Sequence, residues 1–195
     1  LRNANRTILS VEEMDRVEGC VSSLLETPGF PLRGYLEGAK DADGEWLVKP
    51  ARKEFTILWT DEETGVLCKV RLDAIGSDPV IAFDAKTCGD ARPADFTREI
   101  AGMNYDLQAA YCMEGVRRFF GRDGAFIFGA VEALAPHGAL FYVLGPDHDF
   151  MANGARKVRH ALNLYAKCQS EGRWPAYGFG SVVEPQMLPW MAFEA

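Results

Sequence analysis

The chain has 195 residues, 48% of them hydrophobic and 25% charged, with a formal net charge of −7, which suits one ordinary globular domain with a substantial core. No apolar run approaches the roughly 20 residues that span a bilayer, and nothing at the start reads as a signal peptide. The negative charge argues against a protein coated by nucleic acid, but leaves room for one local basic groove.

In chain order, "TILSVEEMDRVEGCVSSLLET" predicts a helix capped by Ser10 with Glu13 three residues on, its core face formed by Met14, Val17, Val21, Leu24 and Leu25. Residues 27–46, rich in Pro and Gly, predict a loop or short turns. A hairpin follows, with strands Glu54–Trp59 and Val66–Ile75 about the turn "DEETG", and "SDP" leads into a strand over 80–86. Residues 93–121 predict one helix or a pair of helical segments, with Pro93 in the first turn, Phe96, Ile100, Met103 and Leu107 on the core face and Gly121 as the stop. "AFIFGAVEAL" and "ALFYVL" predict a second hairpin, and a closing helix runs to Gly172 behind Asp147 or Asp149 as its cap. The tail from Arg173 is expected to be extended and to pack on the domain or on a neighbouring subunit. The order predicts an α/β (α+β) domain, a central mixed β-sheet flanked by helices. The crossover helix would let the 80–86 strand pair in parallel with the next.

The five cysteines (Cys20, Cys68, Cys88, Cys112, Cys168) are scattered without C-x-x-C spacing. That pattern argues against a zinc knuckle or a disulfide framework and predicts reduced thiols in a cytoplasmic protein. No G-x-S-x-G and no G-x-x-x-x-G-K-[ST] loop occurs, so neither a serine hydrolase nor a nucleotide triphosphatase is indicated.

Chemistry concentrates in "VIAFDAKT". Asp84 and Lys86 lie two apart on a strand and so share a face. With the chain turned back through "GSDP", Asp73 could meet Asp84 across the sheet. Two carboxylates facing each other in apolar surroundings repel, and a divalent cation resolves the conflict. An all-oxygen site of Asp73, Asp84 and the Ala85 carbonyl suits Mg²⁺ or Mn²⁺, and Lys86 beside it can stabilise charge growing on a phosphate. A bare D-x-K is commonly just an edge-strand ion pair, and only the upstream Asp73 and the downstream helix change those odds. That helix presents Asn104, Tyr105, Gln108 and Tyr111 on one polar face, suited to line a cleft and bind backbone phosphates; Arg71 shares the face of Asp73.

"VRLDAI", "VIAFDAKTCGDARPADF" and "YDLQAAYCMEG" resemble, in order and spacing, the PD-(D/E)XK nuclease superfamily, and most nearly the exodeoxyribonuclease VIII-like recombination exonucleases of phages and prophages. The resemblance extends over "ILWTDEETGVLCKVRLD", "FIFGAVE" and "LYAKCQSEGRWPAY". It implies a restriction-endonuclease-like fold and a Mg²⁺-dependent exodeoxyribonuclease, with Asp73 and Asp84 as metal ligands, Lys86 and Gln108 as catalytic residues and Glu54 in support. It also implies 5′→3′ action on linear double-stranded DNA in recombination, a single-strand annealing protein as partner and a ring-shaped homo-oligomer. Residues 1–195 are then expected to form a single such domain that begins after an upstream helix of the full-length protein. The usual Q-x-x-x-Y motif is altered: Cys112 stands at the fourth position after Gln108. Either Tyr111, at the third, reaches the same region or the role is lost. The rival expectation is a non-catalytic nuclease-like module that binds DNA or scaffolds a complex, or another nuclease of the superfamily.

Overall fold

Ser10 and Glu13 form a full capping box. The Ser10 hydroxyl accepts from the Glu13 N–H at 3.2 Å, and the Glu13 carboxylate accepts from the Ser10 N–H at 2.8 Å, which starts α1 (Val11–Glu26). In the computed structural model, which describes residues 8–176, 181–182 and 184–187, α2 (Leu32–Glu37) and a small hairpin, β1 (Ala39–Lys40) with β2 (Trp46–Val48), follow. Next come β3 (Arg52–Thr60), β4 (Leu67–Ser77) and β5 (Val80–Cys88), the crossover pair α3 (Pro93–Gly102) and α4 (Tyr105–Phe120), β6 (Ala125–Glu132), β7 (Ala139–Leu144) and α5 (Asp149–Glu171).

Strands β3 to β7 form one five-stranded sheet in sequence order. Every neighbouring pair is antiparallel except β5 and β6, which run parallel because the α3–α4 crossover carries the chain back. The expected mixed sheet with flanking helices is thus present. Its two faces are separate cores. Cys20, Leu24 and Leu32 pack with Phe83, Ile127 and Val131 on one side. On the other, Phe96, Ile100, Ala109, Met113 and Val116 cover Val70, Ala82, Phe126 and Phe128.

Four details differ from the sequence expectation. Met14, Val17 and Val21 are about half exposed, while Cys20 and Leu24 are buried. Helix α1 docks by its small-residue edge: a Cβ on Gly19 would lie 2.6 Å from the His137 ring, and the Ser23 hydroxyl donates to the His137 carbonyl at 2.5 Å. The loop over 27–46 contains α2 and the β1–β2 hairpin, elements too short to carry a periodic signal. Met103, expected on the core face over 93–121, is exposed, because it lies where the expected pair of helical segments meets at Asn104, left-handed with φ 55°. His148, rather than Asp147 or Asp149, caps α5, accepting the Phe150 N–H on Nδ1 at 3.2 Å.

A further departure positions the site. Leu72 and Ile75 belong to the core under α4, whereas Ala74 belongs to the opposite core. Strict alternation would put Leu72 and Ala74 together and Ile75 opposite, so the alternation slips by one residue at Asp73. Across the ladder, Glu54 stands opposite Asp73 between the pairs Lys53↔Ala74 and Phe55↔Leu72, and Glu54 has φ 51°. Both strands change phase at the same place, which turns Asp73 toward the side that Asp84 faces.

The tail expectation lies largely outside the described residues; within them, Trp174 packs edge-on against Tyr165 of α5, ring centroids 5.3 Å apart. Among the described residues, no helix is long and apolar enough to cross a membrane.

Candidate active site

Strand β5 alternates Val80 and Ala82 into the core under α4 and returns to it at Cys88. Between them, Asp84 and Lys86 occupy the same face, their side chains only 13% and 17% exposed. The Lys86 ammonium stands 2.5 Å from Asp84 Oδ2, and Gln108 Nε2 donates to Asp84 Oδ1 at 2.7 Å. Among the described residues, the buried Oδ2 has no partner besides that ammonium. Burial pushes the Asp84 carboxyl above the ordinary carboxylate range; Lys86 opposes that shift, the charge of Asp73 reinforces it, and Gln108 opposes it.

Asp73 comes from β4, one residue beyond the last ladder pair, Ala74↔Phe83. Its carboxylate is anchored by the Ala85 N–H at 3.2 Å, which leaves its outer face to solvent. The antiparallel turn of β4 into β5 and the phase slip at Asp73 therefore bring the two carboxylates and the lysine together, as "VRLDAI" and "FDAKT" predicted. Helix α4 supplies Gln108 from its first turn and Cys112 from the next. The Cys112 thiol is buried against this cluster and pushed up to about 12, chiefly by burial, then by the Asp84 charge.

Tyr105 opens α4. Its ring lies under Lys86, with Nζ 4.8 Å from the centroid, and its hydroxyl is 3.5 Å from Glu99 Oε1. Asn104 accepts from Lys157 Nζ at 2.8 Å and lies on the α5 side of the first turn. Glu54 and Arg71 pair with each other at 3.0 Å, both well exposed, with no hydrogen bond to Asp73 or Asp84 among the described residues. Tyr111 turns away from the carboxylates. Its hydroxyl accepts the Lys69 N–H at 3.3 Å, its ring packs 5.1 Å from that of Trp59, and it lines an apolar groove with Leu67, Val158, Leu162 and Tyr165. The position facing the carboxylates one turn after Gln108 is therefore Cys112.

Sequence reasoning missed the ring beneath Lys86. A tyrosine three residues before the glutamine was the available signal, because both positions lie on one helical face.

The donor set is two carboxylates, and among the described residues no cluster of three or more His, Cys, Asp or Glu side chains is arranged for a metal. Two carboxylates fit a small hard cation that keeps several waters, such as Mg²⁺, better than one needing an all-protein shell.

Residues 6–181 match the family described as a PDDEXK-like domain of unknown function, DUF3799. Among solved structures, a "putative exonuclease" from Eubacterium rectale superposes with a TM-score of 0.55 over 90% of this chain at 13% identity. The chain spans 63% of that protein's length, and the likeness is one of fold. The structure of SSO0001 aligns at a TM-score of 0.38 and 15% identity, over 59% of this chain and 50% of that one. No curated protein matches the chain.

Proposed function

The chain belongs to the PDDEXK-like DUF3799 family, and from that premise we propose that it is a metal-dependent DNA nuclease, an exonuclease hydrolysing phosphodiester bonds of linear double-stranded DNA. The observation that carries this reading is the grouping of Asp73, the buried Asp84 carboxylate and Lys86 on one sheet face, with burial pushing the Asp84 carboxyl up.

Asp73, Asp84 and the Ala85 carbonyl would hold Mg²⁺, for which Mn²⁺ can substitute. When bound, the cation supplies Lewis-acid polarisation and charge neutralisation at the phosphodiester. Gln108 fixes the orientation of the Asp84 carboxylate by its bond to Oδ1. The Ala85 N–H does the same for Asp73. The Lys86 ammonium offers a preorganised positive charge where charge grows on the phosphate during attack. Arg71, exposed and paired with Glu54, exchanges that carboxylate for a backbone phosphate in this reading. Tyr105 stands beside Lys86 on the carboxylate side of α4, whereas Asn104, bound by Lys157, and Tyr111, packed on Trp59, lie off that side.

The fold shared with a protein described as an exonuclease, and the resemblance to recombination exonucleases, support end-directed 5′→3′ resection by a single domain in the cytoplasm. The resemblance to recombination exonucleases, by itself, adds a single-strand annealing partner and a ring of like subunits to this reading. Against this stands a DNA-binding module without activity, favoured by Cys112 in the place of the motif tyrosine.

The deciding experiment digests linear duplex DNA labelled at one 5′ end with Mg²⁺, using the wild type, Asp84→Ala and Lys86→Ala. Release of labelled mononucleotide by the wild type alone establishes the nuclease and its polarity. DNA binding without hydrolysis in all three proteins leaves the binding module.

A further inference from the structure

Lysine has four rotatable side-chain bonds, and fixing such a chain costs up to about 2 kcal/mol of rotamer entropy. Lys86 is nonetheless held in one place, and its ion pair with Asp84 is only part of the reason. Its ammonium lies 4.8 Å over the Tyr105 ring and 5.9 Å from that of Phe128. The two rings are 5.7 Å apart and tilted by 34°. Phe128 is fully buried, so it forms a fixed floor, while Tyr105 forms the wall on the helix side.

Tyr105 is fixed in turn from α5. Lys157 Nζ bonds Asn104 Oδ1 at 2.8 Å and Asp106 Oδ1 at 2.9 Å, and Asn153 donates to Asp106 Oδ2 at 2.6 Å. A Cβ on Gly154 would come within 2.0 Å of the Asp106 carbonyl oxygen, so only glycine lets α5 approach this turn so closely. The residues on both sides of Tyr105 are therefore clamped by the neighbouring helix.

We infer that Tyr105, with Phe128 beneath, is a positioning residue: its ring face holds the Lys86 ammonium by a cation–π contact and aims it at the place where substrate charge develops. This rests on the nuclease reading for its catalytic consequence, but not for its geometry. The tyrosine hydroxyl is not needed, since the contact is with the ring face. A partly desolvated cation–π contact is among the stronger of its kind, so its loss should be visible in the rate.

The test compares wild type, Tyr105→Phe and Tyr105→Leu, each labelled with [ε-¹³C]lysine, the Lys86 resonance being assigned with Lys86→Arg. The ε-methylene protons of Lys86 should show an upfield ring-current shift in wild type and Tyr105→Phe and lose most of it in Tyr105→Leu. In duplex digestion with Mg²⁺, kcat should fall about 10- to 30-fold for Tyr105→Leu, the rate equivalent of a contact of this type, with KM within about twofold, and Tyr105→Phe should restore it. If Tyr105→Leu does not fold, 3,4,5-trifluorophenylalanine at position 105 keeps the shape and weakens the ring quadrupole; kcat should fall with each added fluorine. An unshifted Lys86 resonance in the wild type overturns the inference. So does a loss in Tyr105→Phe as large as in Tyr105→Leu, or an effect confined to KM, which would mean a DNA contact. If the wild type hydrolyses no DNA but the resonance pattern is as expected, the positioning contact stands and the nuclease reading falls.

Discussion

Asp61 and Asp84 each have a cation beside them and are treated in opposite ways. Asp61, at the turn between β3 and β4, is 2% exposed. It receives Arg159 through two hydrogen bonds of 2.9 and 2.8 Å, the Thr64 hydroxyl at 2.6 Å and the Thr64 N–H at 3.0 Å. Those donors pull its carboxyl well below the ordinary range, against the burial that opposes them. Asp84 is slightly more exposed, has one neutral donor on Oδ1 and an ammonium near Oδ2, and its carboxyl is pushed up. Saturation marks the first as a fastening of the hairpin to α5. The second keeps a burial cost that Lys86 and Gln108 do not fully offset, which is where the proposed cation would act.

The sharpest break of this comparison is Asp84→Asn. We predict that hydrolysis falls to background, at least ~10³-fold, as for a lost group on which transition-state electrostatics depend, while thermal melting moves up, because a strained buried charge is removed. A variant that is both inactive and less stable would place Asp84 with Asp61 instead. Asp61→Ala should do the reverse. With Arg159 about a third exposed, the loss should be about 2 kcal/mol in denaturant unfolding, below the usual cost of breaking a fully buried pair, with kcat unchanged in the folded fraction.

Gln108→Leu sharpens the contrast from within the site. Removing the amide donor on Asp84 Oδ1 should lower kcat about tenfold, the worth of one hydrogen bond to a charged group, and leave melting nearly unchanged. The smallest effect is in the pH dependence of stability. Asp61 has its folded pKa below its unfolded one, so its contribution is full above about pH 4 and is lost as pH falls through the folded value. Asp84 has its folded pKa raised, so its charge costs stability as pH rises above about pH 4. Unfolding curves of Asp61→Asn and Asp84→Asn between pH 3 and 7 should therefore diverge from wild type in opposite directions.

Much of this was legible in the sequence because it is local. The capping box at Ser10, the strand runs and the αL glycines at Gly121 and Gly172 follow from chemistry within a few residues, and Asp73, Asp84, Lys86 and Gln108 come from consecutive segments. What escaped depends on distant partners or on surplus signal. Helix α1 has apolar residues over more than one face, and the choice among them was made by His137, 114 residues downstream of Ser23. The Asp61–Arg159 fastening spans 98 positions. The phase slip at Asp73 has no periodic signature, since it breaks the period from which it would be read, and the turning of Tyr111 toward Trp59 depends on how α4 is rotated over the sheet.

The parallel pairing of β5 with β6 has a kinetic meaning. The β3–β4–β5 meander can form from near neighbours, but Ile81↔Ala125 closes only after the intervening crossover is in place, and such long closures are slow to pay back their entropy. Asp73, Asp84 and Lys86 can be together early, whereas Gln108 and the Tyr105 wall arrive with α4. Competence at this site is therefore a late event in folding, acquired when the crossover helix lands on the sheet.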